Sequence, residues 1–195
     1  MVRSSAIIPR LARSAVEMKT LTDQLSHYAA YHRDRRNIAT HFIGIPMIVL
    51  AVAILLSRPA STFGVLPFVV SPAWALFIGA TLYYLRLDIS LGLAMAAFSA
   101  ICVSIGHWAA QDSFALWLAS GAALFVVGWI FQFVGHAAYE HRKPAFADDL
   151  IGLLIGPLFV LAEALFGLGW RPGLRAAIEK HSGPTVVNAR RGQAD

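Results

Sequence analysis

Residues 27–46 of this 195-residue chain read HYAAYHRDRRNIATHFIGIP, with three histidines placed directly before a run of apolar residues. A second stretch of the same kind, residues 132–141 (QFVGHAAYEH), closes another apolar run. Imidazole rings titrate near neutral pH and bind transition metals, so their concentration beside apolar runs is unusual. The two stretches predict one metal site, built from both of them at the surface of a membrane.

The spacing inside the first stretch requires a break in the helix. His32 and His41 are nine residues apart. In one uninterrupted helix they would lie on opposite sides of the axis and could not share a ligand. Joint metal binding by this pair therefore predicts a turn over residues 33–36. Asn37 is the predicted N-cap of the helix that follows this turn.

The composition predicts an all-α, polytopic membrane helical bundle. Hydrophobic residues make up 57% of the chain and charged residues only 14%, whereas a soluble domain carries about 25% charged residues. An amphipathic N-terminal helix, capped by Thr20 or Thr22, is predicted before the first apolar run because Leu21, Leu25 and Tyr28 repeat at helical spacing. About four membrane spans follow from the apolar runs, which cover residues 42–57, 60–85, 89–106 and 114–135, with a fifth at 150–170.

The distribution of Lys and Arg predicts the topology of the bundle. Seven of these residues lie within 1–41 and five within 171–191, and basic residues favour the cytoplasmic side. A full fifth span would place the second group on the wrong side. Residues 150–170 are therefore predicted to form a re-entrant or interfacial helical hairpin, bent near Gly156 and Pro157. This layout puts the site on the cytoplasmic side of a membrane, for which we expect the bacterial inner membrane.

Three parts of the chain are predicted. A basic extension over 1–17 precedes a single membrane-embedded catalytic domain over 18–175, and a flexible tail covers 176–195. Met18 is an alternative start of the chain. The basic residues flank apolar runs rather than forming a face with aromatic readers, which fits anionic lipid and indicates no nucleic-acid partner.

The second stretch supplies the rest of the predicted site. His136 and Glu140 are four residues apart on a predicted helical extension, so they share a face. With His32 and His41, they make a three-histidine set with a nearby carboxylate. Imidazole suits zinc, copper and iron, and spacing does not choose among these metals. The candidates for a fourth ligand, or for a residue that orients a ligand, are His27, Glu140 and His141.

Four further residues are candidates for substrate binding. Arg36 belongs to a group of three arginines in the connector. One of their guanidinium groups could bind a substrate carboxylate, or all three could lie among lipid headgroups. Glu163 is a carboxylate inside an apolar run, where it could pair with an arginine, line a polar cavity or reach the metal. Tyr28 could contact substrate or be an interfacial aromatic, and Asn37 could be only a helix cap. The HExxH, P-loop and GxSxG motifs are absent from the sequence.

Together these residues form a pattern found in a known family. Its parts are Tyr28-x3-His32-x4-Asn37-x3-His41-x2-Gly44-x-Pro46, Gln132-x2-Gly135-His136-x3-Glu140-x3-Pro144-Ala145 and Gly156-Pro157-x5-Glu163. Over about residues 20–170 the chain resembles the small membrane proteins related to the yeast 2-hydroxy fatty acid dioxygenase, as a bacterial-type member. Family members often carry a proline between the first histidine and the asparagine, where Arg35 and Arg36 stand here.

The resemblance implies an iron(II)-dependent dioxygenase of fatty-acid α-oxidation. A long-chain 2-hydroxy fatty acid and dioxygen would give a fatty acid one carbon shorter, within membrane lipid. By position, His32, His41 and His136 would be the iron ligands. Two alternatives remain: another metal-dependent membrane lipid oxygenase or hydroxylase, and a non-enzymatic metal-binding membrane protein.

Overall fold

The computed structural model describes residues 19–62 and 69–187. The predictions for the basic extension over 1–17 and for the end of the tail lie outside these residues. The described chain is all-α, as predicted, apart from a two-residue antiparallel ladder between β1 (Ser61–Thr62) and β2 (Val69–Val70). Its helices are α1 (Leu21–Ala29), α2 (Arg35–Leu55), α3 (Pro72–Leu87), α4 (Ile89–Ala109), α5 (Phe114–Gly135), α6 (Gly152–Gly167) and α7 (Pro172–Ser182).

Helices α2 to α5 run back and forth between two ends of a bundle. We call the end that carries the start of α2 and the end of α5 the site end, and the opposite one the far end. Within the described residues, three helices are long and apolar enough to cross a membrane, namely Arg35–Leu55, Ile89–Ala109 and Phe114–Glu140. Helix α3 has 16 residues, which is below the roughly 20 that a span needs. The apolar helices are therefore compatible with an integral membrane protein.

Two glycines bring α2 and α5 into backbone contact. A Cβ atom added to Gly44 would lie 2.7 Å from the carbonyl oxygen of Gly128, and one added to Gly128 would lie 2.9 Å from the carbonyl oxygen of Gly44. Small residues at such a crossing allow helices to approach closely in a membrane. This contact fixes the start of α2 against the end of α5, where the two polar stretches of the sequence lie.

The predicted helix break is present, but its cap differs from the prediction. Helix α1 ends at Ala29 and α2 begins at Arg35. The N-cap is Asp34, whose backbone is extended (φ −91°, ψ 126°) and whose side chain accepts the Arg36 N–H. Asn37 already lies in the first turn of α2, so it cannot cap it, and its amide is used elsewhere in the fold.

Helix α1 is amphipathic and confirms one of the two predicted caps. The hydroxyl of Thr20 accepts the N–H of Asp23, and the carboxylate of Asp23 accepts the N–H of Thr20, which is a capping box. Leu25 and Tyr28 are buried on the inner face of α1 and pack with Phe159 of α6.

The segment over residues 150–170 is a single helix rather than a hairpin. Helix α6 continues through Gly156 and Pro157. One proline removes one backbone donor, and the buried side chains on either side, such as Ile155 and Phe159, hold the helix together. Arg171, just beyond α6, binds Asp88 in the α3–α4 turn at 2.5 Å. Both ends of α6 therefore lie at the site end, so α6 crosses that end instead of traversing the bundle.

The described part of the predicted tail is folded. Helix α7 extends to Ser182 and packs against α1. Beyond it, the N–H of Val186 donates to the carbonyl of Arg33, and the N–H of Arg35 donates to the carbonyl of Val186, both at 2.9 Å. The guanidinium of Arg33 also donates to the carbonyl of Gly183. Residues 176–187 thus brace the connector between α1 and α2, and the other domain boundaries stay predictions.

Candidate metal centre

Three buried histidines meet at the site end. His32 lies in the connector after α1, His41 in the second turn of α2, and His136 at the start of a π-helical turn (His136–Glu140) that follows α5. Each offers a ring nitrogen, and these nitrogens all lie within 4.8 Å of one another. The helix break therefore brings the two sequence stretches together, as their spacing predicts.

Backbone carbonyls fix the tautomers of two of the rings. Nδ1 of His32 lies 2.7 Å from the carbonyl oxygen of Tyr28, and Nδ1 of His41 lies 2.9 Å from that of Asn37. A carbonyl oxygen only accepts, so each Nδ1 carries the proton and each Nε2 carries a lone pair. The two Nε2 atoms face each other at 3.0 Å. Two lone pairs at that distance repel, and a cation between them removes the repulsion.

The surroundings keep these rings neutral and ordered. Burial, followed by the nearby rings of His41 and His136, lowers the pKa of His32 well below its ordinary value. Neutral imidazole is the form that binds a metal. The ring of Tyr28 stacks on that of His32, with centroids 4.2 Å apart and planes 8° apart. Nδ1 of His136 is buried and has no hydrogen-bond partner among the residues that the structure describes.

The donor set therefore fits a metal ion. It consists of neutral nitrogens that are buried and convergent, and two of them are oriented by carbonyl groups that accept from the opposite ring nitrogen. Hydrogen bonds of this kind are usual for histidine ligands and raise their basicity. A transition metal such as iron, zinc or copper suits such nitrogens.

A glycine is required immediately before His136. A Cβ atom at Gly135 would overlap the Thr40 hydroxyl and the side-chain oxygen of Asn37. The π-helical turn then starts, and it ends at His141, which has a positive φ of 52°. Such turns are common at functional sites because they re-aim a side chain within a helix. Here the turn directs both His136 and Glu140 inward, since both are buried.

Glu140 does not join the group of convergent nitrogens. Its Oε1 accepts the backbone N–H of Asp34 at 2.8 Å and the side-chain amide of Asn37 at 3.1 Å. Glu140 thus ties the π-helical turn to the α1–α2 connector. His27 and His141 are exposed. Within the described ranges, the cluster of side chains that could hold a metal ion consists of His32, His41 and His136 alone.

Two predicted substrate-binding residues lie away from the histidines. Arg36 is partly exposed, binds both carboxylate oxygens of Asp34 at 3.0 and 2.8 Å, and covers the ring of Tyr139. Glu163 is half-buried on the side of α6 that faces α7. Burial raises the pKa of Glu163, and the charges of Arg175 and Arg33 partly offset that rise. The structure does not bring either side chain into the cleft beside the histidines.

A small cleft of about 60 Å³ opens beside the histidines. Its walls include Tyr28, His41, His136, Trp129 and Gln132. Gln132 is buried, and its Nε2 has no hydrogen-bond partner in the part of the chain covered by the structure. The sequence assigns Gln132 no role beyond its place in the motif. An amide inside the uncharged 22-residue run of α5 was the available signal.

These features define a class: an apolar helical bundle with a buried three-histidine centre at one end. A profile described as "2-hydroxy-palmitic acid dioxygenase Mpo1-like" matches residues 18–168, and the chain belongs to this Mpo1-like family. The chain is 32% identical over 161 residues to the 2-hydroxy-palmitic acid dioxygenase MPO1 of Saccharomyces cerevisiae. The aligned region covers 82% of this chain and 87% of the yeast protein. No solved structure matches the chain.

Proposed function

We propose that this protein is an iron(II)-dependent dioxygenase of fatty-acid α-oxidation. It converts a long-chain 2-hydroxy fatty acid and dioxygen to a fatty acid one carbon shorter. The observation that carries the proposal is the pair of facing Nε2 atoms of His32 and His41, 3.0 Å apart in a buried three-histidine group. The yeast relative, named for its action on 2-hydroxy-palmitic acid, supports the substrate class.

His32, His41 and His136 would hold the iron. Iron(II), when bound, supplies oxygen activation and a Lewis acid for the 2-hydroxy carboxylate. The carbonyls of Tyr28 and Asn37 keep the first two rings in the tautomer that presents Nε2. Tyr28 also shields His32 from water by stacking on it. Glu140 and Asn37 position the ligands by holding the π-helical turn against the start of α2.

The reaction balances without a further reductant. A 2-hydroxy acid and one dioxygen contain the atoms of the shortened acid, one carbon dioxide and one water. The carbon chain loses its carboxyl carbon, and dioxygen is the oxidant. The cleft excludes bulk water from this chemistry because it is small and lined mainly by buried or half-buried side chains.

Turnover by the purified protein tests the proposal. Protein loaded with iron(II) in lipid nanodiscs should convert 2-hydroxypalmitate to pentadecanoate under air and release the carboxyl label as carbon dioxide. A product that keeps every carbon would indicate a lipid hydroxylase instead. Protein that binds no metal and leaves the lipid unchanged would point to a non-enzymatic role and overturn the proposal.

Gln132 is proposed to bind the substrate carboxylate. A carboxylate in the cleft would give Nε2 of Gln132 the acceptor that it lacks. The Gln132→Leu variant should therefore raise the KM for 2-hydroxypalmitate about tenfold or more, as expected for the loss of a hydrogen bond to a charged group. Its melting temperature should be equal or higher, because an unsatisfied buried amide is costly.

A second buried glutamine provides the control for Gln132. The amide of Gln24 donates to the hydroxyl of Tyr83 at 2.9 Å, away from the cleft. Gln24→Leu should lower the melting temperature and leave KM unchanged. An unchanged KM in Gln132→Leu would refute the assignment of Gln132.

The site is proposed to face the cytoplasm from a bacterial inner membrane. The site end carries the connector arginines Arg33, Arg35 and Arg36, and the basic pair Arg142 and Lys143 follows the π-helical turn. Basic residues of this kind favour the cytoplasmic side. In sealed inverted vesicles, a Lys143→Cys variant should react with an impermeant thiol reagent. Labelling of right-side-out vesicles alone would reverse the orientation.

A further inference from the structure

A large apolar cavity adjoins the small cleft beside the three histidines. Its volume is about 330 Å³. It is lined by side chains of five helices, and five of its residues also line the cleft: Ile48, Val49, Trp129, Leu153 and Pro157. The cleft and the cavity therefore adjoin each other and share part of their walls, and we call the two together the acyl groove.

The groove follows one face of α2. His41, Ile45 and Ile48 line the cleft, and Ile48 and Val52 line the cavity. These positions repeat at intervals of three and four residues, so they lie along one side of the helix. At 1.5 Å per residue, about 16 Å separates His41 from Val52. The groove thus runs from the histidines toward the far end of the bundle for a length that suits a long alkyl chain.

We propose that this groove binds the acyl chain of the 2-hydroxy fatty acid and that its deep end sets the chain length accepted. The inference rests on the proposed function for the identity of the head group. The cavity walls are almost entirely apolar, and the hydroxyl of Tyr84 is already bonded to the carbonyl of Leu154 at 2.8 Å. The carboxylate end of the substrate therefore has its polar partners in the cleft, and the methyl end points away from it.

The side of the groove is open to the lipid phase. Leu76 and Leu153, which line it, have 43% and 48% of their surface exposed on the outside of the bundle. A fatty acid dissolved in the membrane can therefore enter sideways between helices, with its chain remaining in an apolar medium throughout. Burial of methylene groups against such walls favours binding relative to water but little relative to lipid, so the gain lies in alignment of the head with the histidines.

The deep end of the groove is formed by residues far along each helix from the site end. Val52 of α2, Phe77 of α3 and Ser99 of α4 lie there, because α2 and α4 run away from the site end and α3 runs toward it. A larger side chain at this end would shorten the groove without touching the histidines. Ala80 of α3 lies about one turn nearer the site end than Phe77, so filling it should shorten the groove further.

The test compares chain-length profiles. For Val52→Phe, kcat/KM for 2-hydroxypalmitate should fall about tenfold or more, while that for 2-hydroxydecanoate changes by less than about twofold, since a pocket discriminates at this scale per methylene. Ala80→Leu is a second variant that should shift the profile in the same direction. Val127→Phe, on the exposed face of α5 outside the groove, is the matched control and should keep the original profile, with equal iron content in all variants.

Photolabelling gives a readout that does not need turnover. A palmitic acid with a diazirine near its methyl end should crosslink to groove residues such as Val52 and Phe125, and excess 2-hydroxypalmitate should abolish the crosslink. Labelling confined to the outer faces, or labelling that 2-hydroxypalmitate does not compete, would overturn the inference, as would an unchanged profile in active Val52→Phe and Ala80→Leu. If 2-hydroxypalmitate competes with the labelling but no 2-hydroxy fatty acid of any chain length is converted, the proposed function is refuted, whereas the groove remains a binding site for acyl chains.

Discussion

Replacement of His41 by alanine should abolish turnover of 2-hydroxypalmitate and lower iron affinity by more than about 100-fold, since even residues that only orient a ligand contribute 10- to 100-fold. The physical reason is that Nε2 of His41 and Nε2 of His32, which lie 3.0 Å apart, would form the centre of the proposed ligand set. His32→Ala and His136→Ala should have the same effect. Steady-state assays and iron titration measure both quantities.

Thermal denaturation separates metal binding from folding in these variants. Iron should raise the melting temperature of the wild type, because a ligand at 100 times its Kd stabilises by about 2.7 kcal/mol. The shift should vanish in His41→Ala. His181 lies exposed on α7, bonded to the carbonyl of Ala177, so His181→Ala should behave as the wild type. Full turnover by His41→Ala would exclude the three-histidine centre.

Glu140→Ala should destabilise the protein and release the metal without removing a ligand. Its loss leaves the N–H of Asp34 and the amide of Asn37 buried without an acceptor, at a cost of about 1–3 kcal/mol for each donor. The π-helical turn that carries His136 would also lose its tie to the connector. Denaturant titration should report the lower free energy of unfolding, and iron titration a weaker affinity.

Two comparisons define the role of Glu140. Glu140→Gln retains an acceptor oxygen and should recover part of the stability and of the iron affinity. Glu179→Ala removes a surface partner of Arg175 on α7 and should change stability by less than about 1 kcal/mol. Normal stability with no bound iron in Glu140→Ala would mean that the carboxylate is itself a ligand.

Local rules predicted the part of the site that depends on spacing. The nine-residue interval between His32 and His41 demanded a break, and the structure has it between Ala29 and Arg35. The all-α fold followed from long uninterrupted apolar runs, which suit membrane helices, whereas the strands of a membrane barrel alternate apolar and polar residues.

Contacts between residues that are far apart in the sequence determine the structural features that the sequence analysis did not predict. Asn37 looked like a cap, but its amide donates to Glu140, 103 residues later, and Asp34 caps the helix in its place. Gly156 and Pro157 looked like a bend, but packing around Phe159 keeps α6 continuous. Arg36 binds Asp34, which the sequence did not indicate, whereas Glu163 lies near Arg175 and Arg33, which agrees with one of the alternatives given for it.

The contact between Gly44 and Gly128 has a consequence for biogenesis. It joins the second helix of the chain to the fifth, so His136 reaches His32 and His41 only after α3, α4 and α5 have been synthesised and packed. If the three histidines hold iron as proposed, a partly assembled nascent chain offers only two of the three nitrogens and should retain iron weakly. Under the proposed function, oxygen chemistry would be withheld until assembly is complete, and iron loading would report assembly of the whole bundle.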